Sequence, residues 1–211
     1  MHTMLKIIGR RTSGNVMKPL WAADELGLEY EQVDVGGKFG GNDTPEYLAM
    51  NPMGLVPTLM DDDFAMFESN AITRYIAQKY GQGSLWPDDP QARATADSWM
   101  DWKLNAINPI MRPIFWGLVR TAPEDRNTEE IKASIGQGCK YWAMLDRHLE
   151  GRSYIAGDDL TMGDIPVGPQ AFRWFELVGE EQRPSMPNLA AWYQRLTERP
   201  AYIKNCMNPL E

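Results

Sequence analysis

Cysteine is scarce in this chain of 211 residues, which has only Cys139 and Cys206. Two thiols cannot build a disulfide framework, so small stapled secreted folds are excluded and a reducing compartment is favoured. Histidine is equally scarce. His2 and His148 stand alone, and neither a metal site nor a Ser-His-Asp triad can be assembled around them. Excess positive charge is missing too, because the formal net charge is −8, which argues against a nucleic-acid partner. No apolar run approaches membrane-spanning length, and the segment Met1 to Gly9 lacks a signal peptide's apolar region. The glycine-rich loop 36–41 lacks the phosphate-binding pattern with its final lysine and hydroxyl. These absences predict a cytoplasmic globular protein with no metal, no membrane and no nucleic acid among its partners.

What is present is ordinary in bulk. With 43% hydrophobic and 24% charged residues, the chain can bury an ample core as one large domain or two small ones. Eight tryptophans are many for this length, and most follow residue 85. They suit either a core or an apolar pocket.

Along the chain, Met4 to Gly9 reads as a buried strand. Arg10 to Asn15 is a polar loop in which Ser13 and Asn15 are candidate helix caps. The helix that follows stops at Gly27. Pro19 requires either a start later than Ser13 or a kink. Tyr30 to Val35 is a second strand, and 36–42 a flexible loop. A short helix opens at Thr44-Pro45-Glu46 and ends near Met50. Thr58 to Met60 and Phe64 to Phe67 form a hairpin around Asp61-Asp62-Asp63, and Ser69 to Tyr80 is helical. The order β-α-β-α-β-β-α is that of a thioredoxin-like domain.

Gly81 to Asp89 reads as a linker, and beyond it the pattern is helical to the end. Pro109 and Pro113 must bend the segment Pro90 to Val119. Asn127-Thr128-Glu129-Glu130 resembles a capping box, and Ile131, Ile135, Trp142, Leu145 and Leu149 then share a face, with Gly138 allowing close approach. At Leu160 to Ile165, Thr161 can cap Asp164 while Asp164 reaches back, with Leu160 and Ile165 as a hydrophobic staple. The predicted class is α/β plus all-α: a thioredoxin-like domain over residues 1–81 and a C-terminal helical-bundle domain over 90–211.

Two stretches organise the first half: Asn51 to Leu59 (N-P-M-G-L-V-P-T-L) and Glu68-Ser69-Asn70-Ala71-Ile72. A cis bond at Val56–Pro57 would leave the backbone of Val56 facing outward, free to pair with an extended peptide. A helix starting at Ser69 offers N–H groups to a carboxylate, and Glu68 suits an ammonium. Such a site fits a peptide-like molecule with both an amino and a carboxyl group.

The V-P-T-L and E-S-N-A-I-x-R-Y-I arrangement closely resembles the glutathione-binding domain of soluble glutathione transferases, and the resemblance extends over nearly the whole chain. It implies a homodimer that uses glutathione as co-substrate in detoxification. It also implies that Val56 and Pro57 hold the cysteinyl part, and Glu68 and Ser69 the γ-glutamyl end. Lys38 and Asn42 become candidates for the glycine carboxylate, with a solvated loop charge as the plainer alternative for Lys38. Ser13 and Asn15 occupy the loop where the family faces the thiol, and S-x-N-V resembles bacterial members that use serine or asparagine there.

A free thiol titrates near pH ~8.5, so the site must favour the thiolate. Each unit of depression requires roughly 1.4 kcal/mol, which a hydroxyl or amide donor and a helix N-terminus can supply. Ser13 is preferred to Asn15 as that donor. Trp99, Trp102, Phe115 and Trp116 are candidates for the apolar substrate pocket or, equally, for core or interface. The expected reaction is attack of the bound thiolate on an electrophilic, apolar substrate. Glutathione-dependent disulfide reduction and a non-catalytic interaction module are the alternatives. No cysteine stands in the thiol loop, and Cys139 and Cys206 read as inert structural residues.

Overall fold

Every strand of the sheet is four residues long, and the first, L-K-I-I, is an inner one with three apolar residues. In the computed structural model, which describes residues 5–211, β1 (Leu5–Ile8) lies between β2 (Tyr30–Val33) and β3 (Thr58–Asp61), with β4 (Phe64–Phe67) on the far edge. Met4, which opens the predicted first strand, and His2 lie outside the described residues. β1 pairs in parallel with β2, Leu5 opposite Tyr30, and antiparallel with β3, Ile8 opposite Thr58. Leu5, Ile7 and Ile8 are buried, as a strand covered on both faces requires. Asp61 is not part of the hairpin turn. It pairs with Phe64, and its carboxylate is held by Tyr75, Lys79 and Tyr80.

The first helix, α1 (Met17–Glu25), starts later than Ser13, and Pro19 is its third residue, where a missing N–H breaks nothing. Neither Ser13 nor Asn15 caps it. The N–H groups of Val16 and Met17 both close onto the backbone carbonyl of Ser13, at 2.8 and 3.0 Å, so the turn needs no side-chain cap. The short helix α2 (Pro45–Met50) is capped by Thr44 as expected, and α3 (Ser69–Tyr80) completes the thioredoxin-like half. The predicted linker is a tight loop, not a loose one. Leu85 is buried, and its carbonyl accepts the Met162 N–H at 2.8 Å.

Beyond it the chain is helical. α4 (Pro90–Trp102) and α5 (Asn108–Phe115) follow one path, interrupted and extended by π turns at Lys103–Ile107 and Trp116–Arg120. Pro109 cannot donate a helical N–H, and its ring crowds the Asn105 carbonyl inside the first π turn. The wider turn absorbs the conflict that the sequence shows as a bend. Asn127 caps α6 (Thr128–His148) through the Glu130 N–H at 3.1 Å. A β-carbon on Gly138 would lie 2.5 Å from the Trp174 ring, so glycine permits the helix contact there.

Almost every residue of the first ten in α7 (Asp164–Leu177) is buried. Asp164 accepts from Thr161 N (3.0 Å), Ile155 N (3.0 Å) and Trp192 Nε1 (2.8 Å). Half of the predicted capping box forms. The Thr161 hydroxyl accepts from Gly163 instead of Asp164, whose N–H takes the Thr161 backbone carbonyl. Finally α8 (Pro187–Thr197) leads to α9 (Pro200–Cys206), which returns to α1. Asn205 donates to Asp24 at 2.6 Å, and Arg199 pairs with Glu25. Arg74 on α3 reaches Asp97 and Asp101 on α4 at 2.5 and 2.8 Å. These clamps fix the sheet half against the helices.

Candidate functional site

The Val56–Pro57 bond is cis, as expected. The carbonyl just before it, that of Leu55, is tied down twice, by the Tyr47 hydroxyl and the Asn51 amide, each at 2.6 Å. Thr58 then donates to Tyr47 at 2.9 Å. With its neighbours anchored, Val56 is left over. Among the described residues neither its N–H nor its C=O has a partner. Facing it, Glu68 has φ 72 and ψ 106, a region that non-glycine residues seldom occupy and that marks functional positions when it occurs. Its exposed carboxylate makes no ion pair among the described residues. The first N–H groups of α3 open beside it. Asn15, Val56, Pro57, Glu68 and Ser69 thus line one narrow groove.

Beneath the groove lies a residue that sequence reading missed. Lys18, on α1, is fully buried, and its Nζ donates to Ser69 Oγ and Asn70 Oδ1, each at 2.9 Å. The Ser69 oxygen accepts from Lys18, and its own O–H stays available to another partner. Burial pulls the Lys18 pKa down to about 8, opposed by Lys103 and Glu68. Lys103, at the start of the first π turn, is also fully buried and is held well below its ordinary value by that burial and by the charge of Lys18. The available signal was a lysine inside the apolar run M-K-P-L-W-A-A, where a solvated face has no room.

The groove opens onto a second space of about 580 Å³ between the first loop, α5 and α7. Ser13 and Asn15 both line it, and Asn15 lines the groove as well. Neither side chain is engaged in a hydrogen bond with another described residue, so both are free to donate. Phe115 and Trp116 form part of the wall, as predicted. Trp99 and Trp102 do not. Half-buried, they meet each other, His148 and Trp142 by edge-on and tilted ring contacts and pack against the helical core. Lys38 and Asn42 line neither space. Lys38 is exposed, 3.9 Å from Glu211, and Asn42 donates to the Gly54 carbonyl at 2.7 Å, bracing the turn from outside. Four arginines that the sequence reading passed over, Arg10, Arg112, Arg120 and Arg173, complete the wall. Both cysteines lie elsewhere, and burial pushes both thiols up, Cys206 well above the usual range.

This geometry meets known proteins at every level. Residues 4–78 match the sequence model of the glutathione S-transferase N-terminal domain, and residues 106–200 that of its C-terminal domain. The chain belongs to the glutathione S-transferase family. It is 46% identical to glutathione S-transferase GstB of Escherichia coli over 98% of this chain and all of that one. It is 30% identical to glutathione S-transferase F13 of Arabidopsis thaliana over 95% of this chain and 94% of that one. Among solved structures, a theta class glutathione S-transferase from Xanthomonas axonopodis pv. citri, with glutathione bound, superposes with a TM-score of 0.93 at 45% identity. That match spans 99% of this chain and 100% of the other. In this glutathione S-transferase the groove belongs to the sheet half, and the wider space to its junction with the helices. No described helix is long and apolar enough to cross a membrane.

Proposed function

We propose that this protein is a glutathione transferase that binds glutathione in the groove and presents its thiolate to an electrophile in the adjoining space. The observation that carries the reading is the unpaired backbone of Val56 set opposite Glu68 and the start of α3. An extended peptide needs such a partner for its backbone. Glu68 takes the ammonium of the γ-glutamyl end, and the Ser69 hydroxyl and the α3 N–H groups take its carboxylate. Lys18 acts as a positioning residue by donating to the Ser69 oxygen. Lys38 and Asn42 are kept as the candidates for the glycine carboxylate, Asn42 bracing the turn at Gly54 and Lys38 lying exposed on the loop before it.

The thiol then lies where groove and cavity meet, beside Asn15 and Ser13. Either donor lowers its pKa by hydrogen-bonding the thiolate, in the manner of a serine/asparagine-type member. The thiol proton leaves to solvent, the sulfur forms a bond to the electrophilic carbon, and the leaving group departs with its electron pair. Phe115 and Trp116 offer apolar surface to the electrophile. Residues 1–81 form the glutathione-binding domain and 90–211 the substrate-binding domain.

Isothermal calorimetry with glutathione, followed by turnover of chlorodinitrobenzene, tests the reading. Binding without turnover leaves a non-catalytic module, and absence of both rejects the proposal. We further place the protein in the cytoplasm, where its two unpaired cysteines stay reduced, and in detoxification. We infer a homodimer from family membership alone. Sedimentation showing only monomer at low micromolar concentration would contradict the dimer.

A further inference from the structure

The net charge of the protein is −8, yet the cavity of about 580 Å³ beside the first loop is lined by four arginines and by no aspartate or glutamate. Elsewhere, unpaired arginines such as Arg126, Arg183 and Arg195 give their guanidinium N–H groups to backbone carbonyls, and Arg74 and Arg199 sit on carboxylates. Among the described residues, Arg10, Arg112, Arg120 and Arg173 make no ion pair at all. Glu211, whose field reaches Arg120, is not in the wall and faces Lys38.

Arg173 is the most telling. Its guanidinium lies over the Phe115 ring at 4.1 Å, and a β-carbon on Gly14 would come within 2.9 Å of it. Its buried Nε has no partner. Next to it, Gln170 is only 6% exposed and lines the same cavity with its Oε1 unpartnered. Arg120 covers Phe115 from another side at 5.0 Å and donates only to the Glu211 backbone oxygen. Like charges held close together are unfavourable in a low-dielectric wall, and native structures pair or solvate them. Arg120 has the field of Glu211 to offset this, whereas Arg173 is faced by Arg120 and Arg10.

We propose that the electrophile taken by this cavity carries an anionic group, a carboxylate or equivalent oxyanion, which Arg173 and Arg120 bind while the reactive carbon faces the thiolate. This rests on the transferase reading above and narrows its substrate class. The thiolate is served by Ser13 or Asn15, so the arginines are left for the second substrate. The planar fork of arginine suits two oxygens of one anion, and the Phe115 face holds that fork in place. The volume of about 580 Å³ suits a small-molecule ligand.

The test uses the full-length protein and a matched pair, chlorodinitrobenzoate and its methyl ester. In both, the sulfur attacks the ring carbon bearing chlorine, the carbon–sulfur bond forms, and chloride leaves with the bonding pair. The rate constants kcat/KM, each divided by the uncatalysed rate, should favour the carboxylate by more than about 10-fold and lose that preference as salt rises. Arg173→Gln and Arg120→Gln should each reduce the preference about 10-fold or more, with the ester rate and the KM for glutathione little changed. Arg112→Gln, on the exposed rim, gives a smaller loss and serves if Arg173→Gln fails to fold. Turnover of both substrates with no preference overturns the inference and leaves the transferase reading intact. So does an equal loss on both substrates with a raised KM for glutathione, which would assign the arginines to glutathione. Turnover of neither removes the transferase reading and this inference with it.

Discussion

The groove and the cavity share Asn15 and almost nothing else. The groove is built from backbone: a cis turn whose carbonyl is bound twice, an unpaired Val56, and the first turn of α3. The cavity is built from long side chains that arrive from the first loop, from α5 with its following π turn, and from α7. A site made of backbone is rigid and selects a peptide by shape and hydrogen bonding. A site made of guanidinium groups selects by charge and tolerates variation in the rest of the ligand. This division suits a reaction in which one partner is constant and the other varies.

The sharpest test of the boundary is the pair Ser13→Ala and Asn15→Ala. Removing the dominant donor should raise the pKa of bound glutathione by one to two units, a loss of roughly 10- to 100-fold in rate at neutral pH. The loss should shrink as pH rises and the thiol ionises unaided. If Asn15 dominates, the sulfur lies at the junction, since Asn15 lines both spaces; if Ser13 dominates, it points into the cavity. Neither side chain caps α1, so both variants should unfold at the wild-type temperature. Profiles that do not move would place thiol activation elsewhere, with the arginines as the next donors.

An effect of similar size, on binding and not on rate, is expected at the groove. Glu68→Gln removes a charge-assisted hydrogen bond to the ammonium, which should weaken glutathione binding by roughly 1.5–3 kcal/mol, about 10- to 100-fold. Arg112→Gln, across the cavity, should leave that dissociation constant unchanged. Calorimetry on the two variants separates the regions. Equal weakening would mean that glutathione spans both, and the division drawn above would fail.

How much of this could be read in the sequence follows from the same contrast. The groove was legible because its parts are local. Leu55-Val56-Pro57-Thr58 and Glu68-Ser69 each state a turn and a helix start within a few residues. The order of elements along the first half and the helix starts at Thr44 and Asn127 were legible for the same reason. The cavity was not. Arg120 and Arg173 lie more than fifty residues apart in sequence, and nothing local marks either as facing the other. Trp99 and Trp102 were drawn toward the pocket by composition, whereas the turn of α4 decides which way they face. Lys18 shows the intermediate case: its sequence setting is apolar, but only the packing of α1 against Ser69 and Asn70 explains a charge there.

The smallest effect concerns what lies under both regions. Burial holds Lys103 well below its ordinary pKa of 10.5 and Lys18 at about 8, whereas both return to about 10.4 in the unfolded chain. Between the folded and unfolded values the unfolded state binds more protons, so stability rises with pH there. For Lys18 that window opens above about 8, and the depressed Lys103 acts in the same direction. The wild-type unfolding temperature should therefore climb above about pH 8, by roughly 3–5 °C per pH unit for each proton involved. Lys103→Met should make that climb shallower and leave the part that Lys18 contributes. Scanning calorimetry across the range reads both slopes. An unchanged slope in Lys103→Met would mean that Lys103 is already charged in the folded protein. Positive charge would then run continuously from the arginine wall to the floor beneath Ser69, and the groove could no longer be treated as separate from the cavity in its electrostatics.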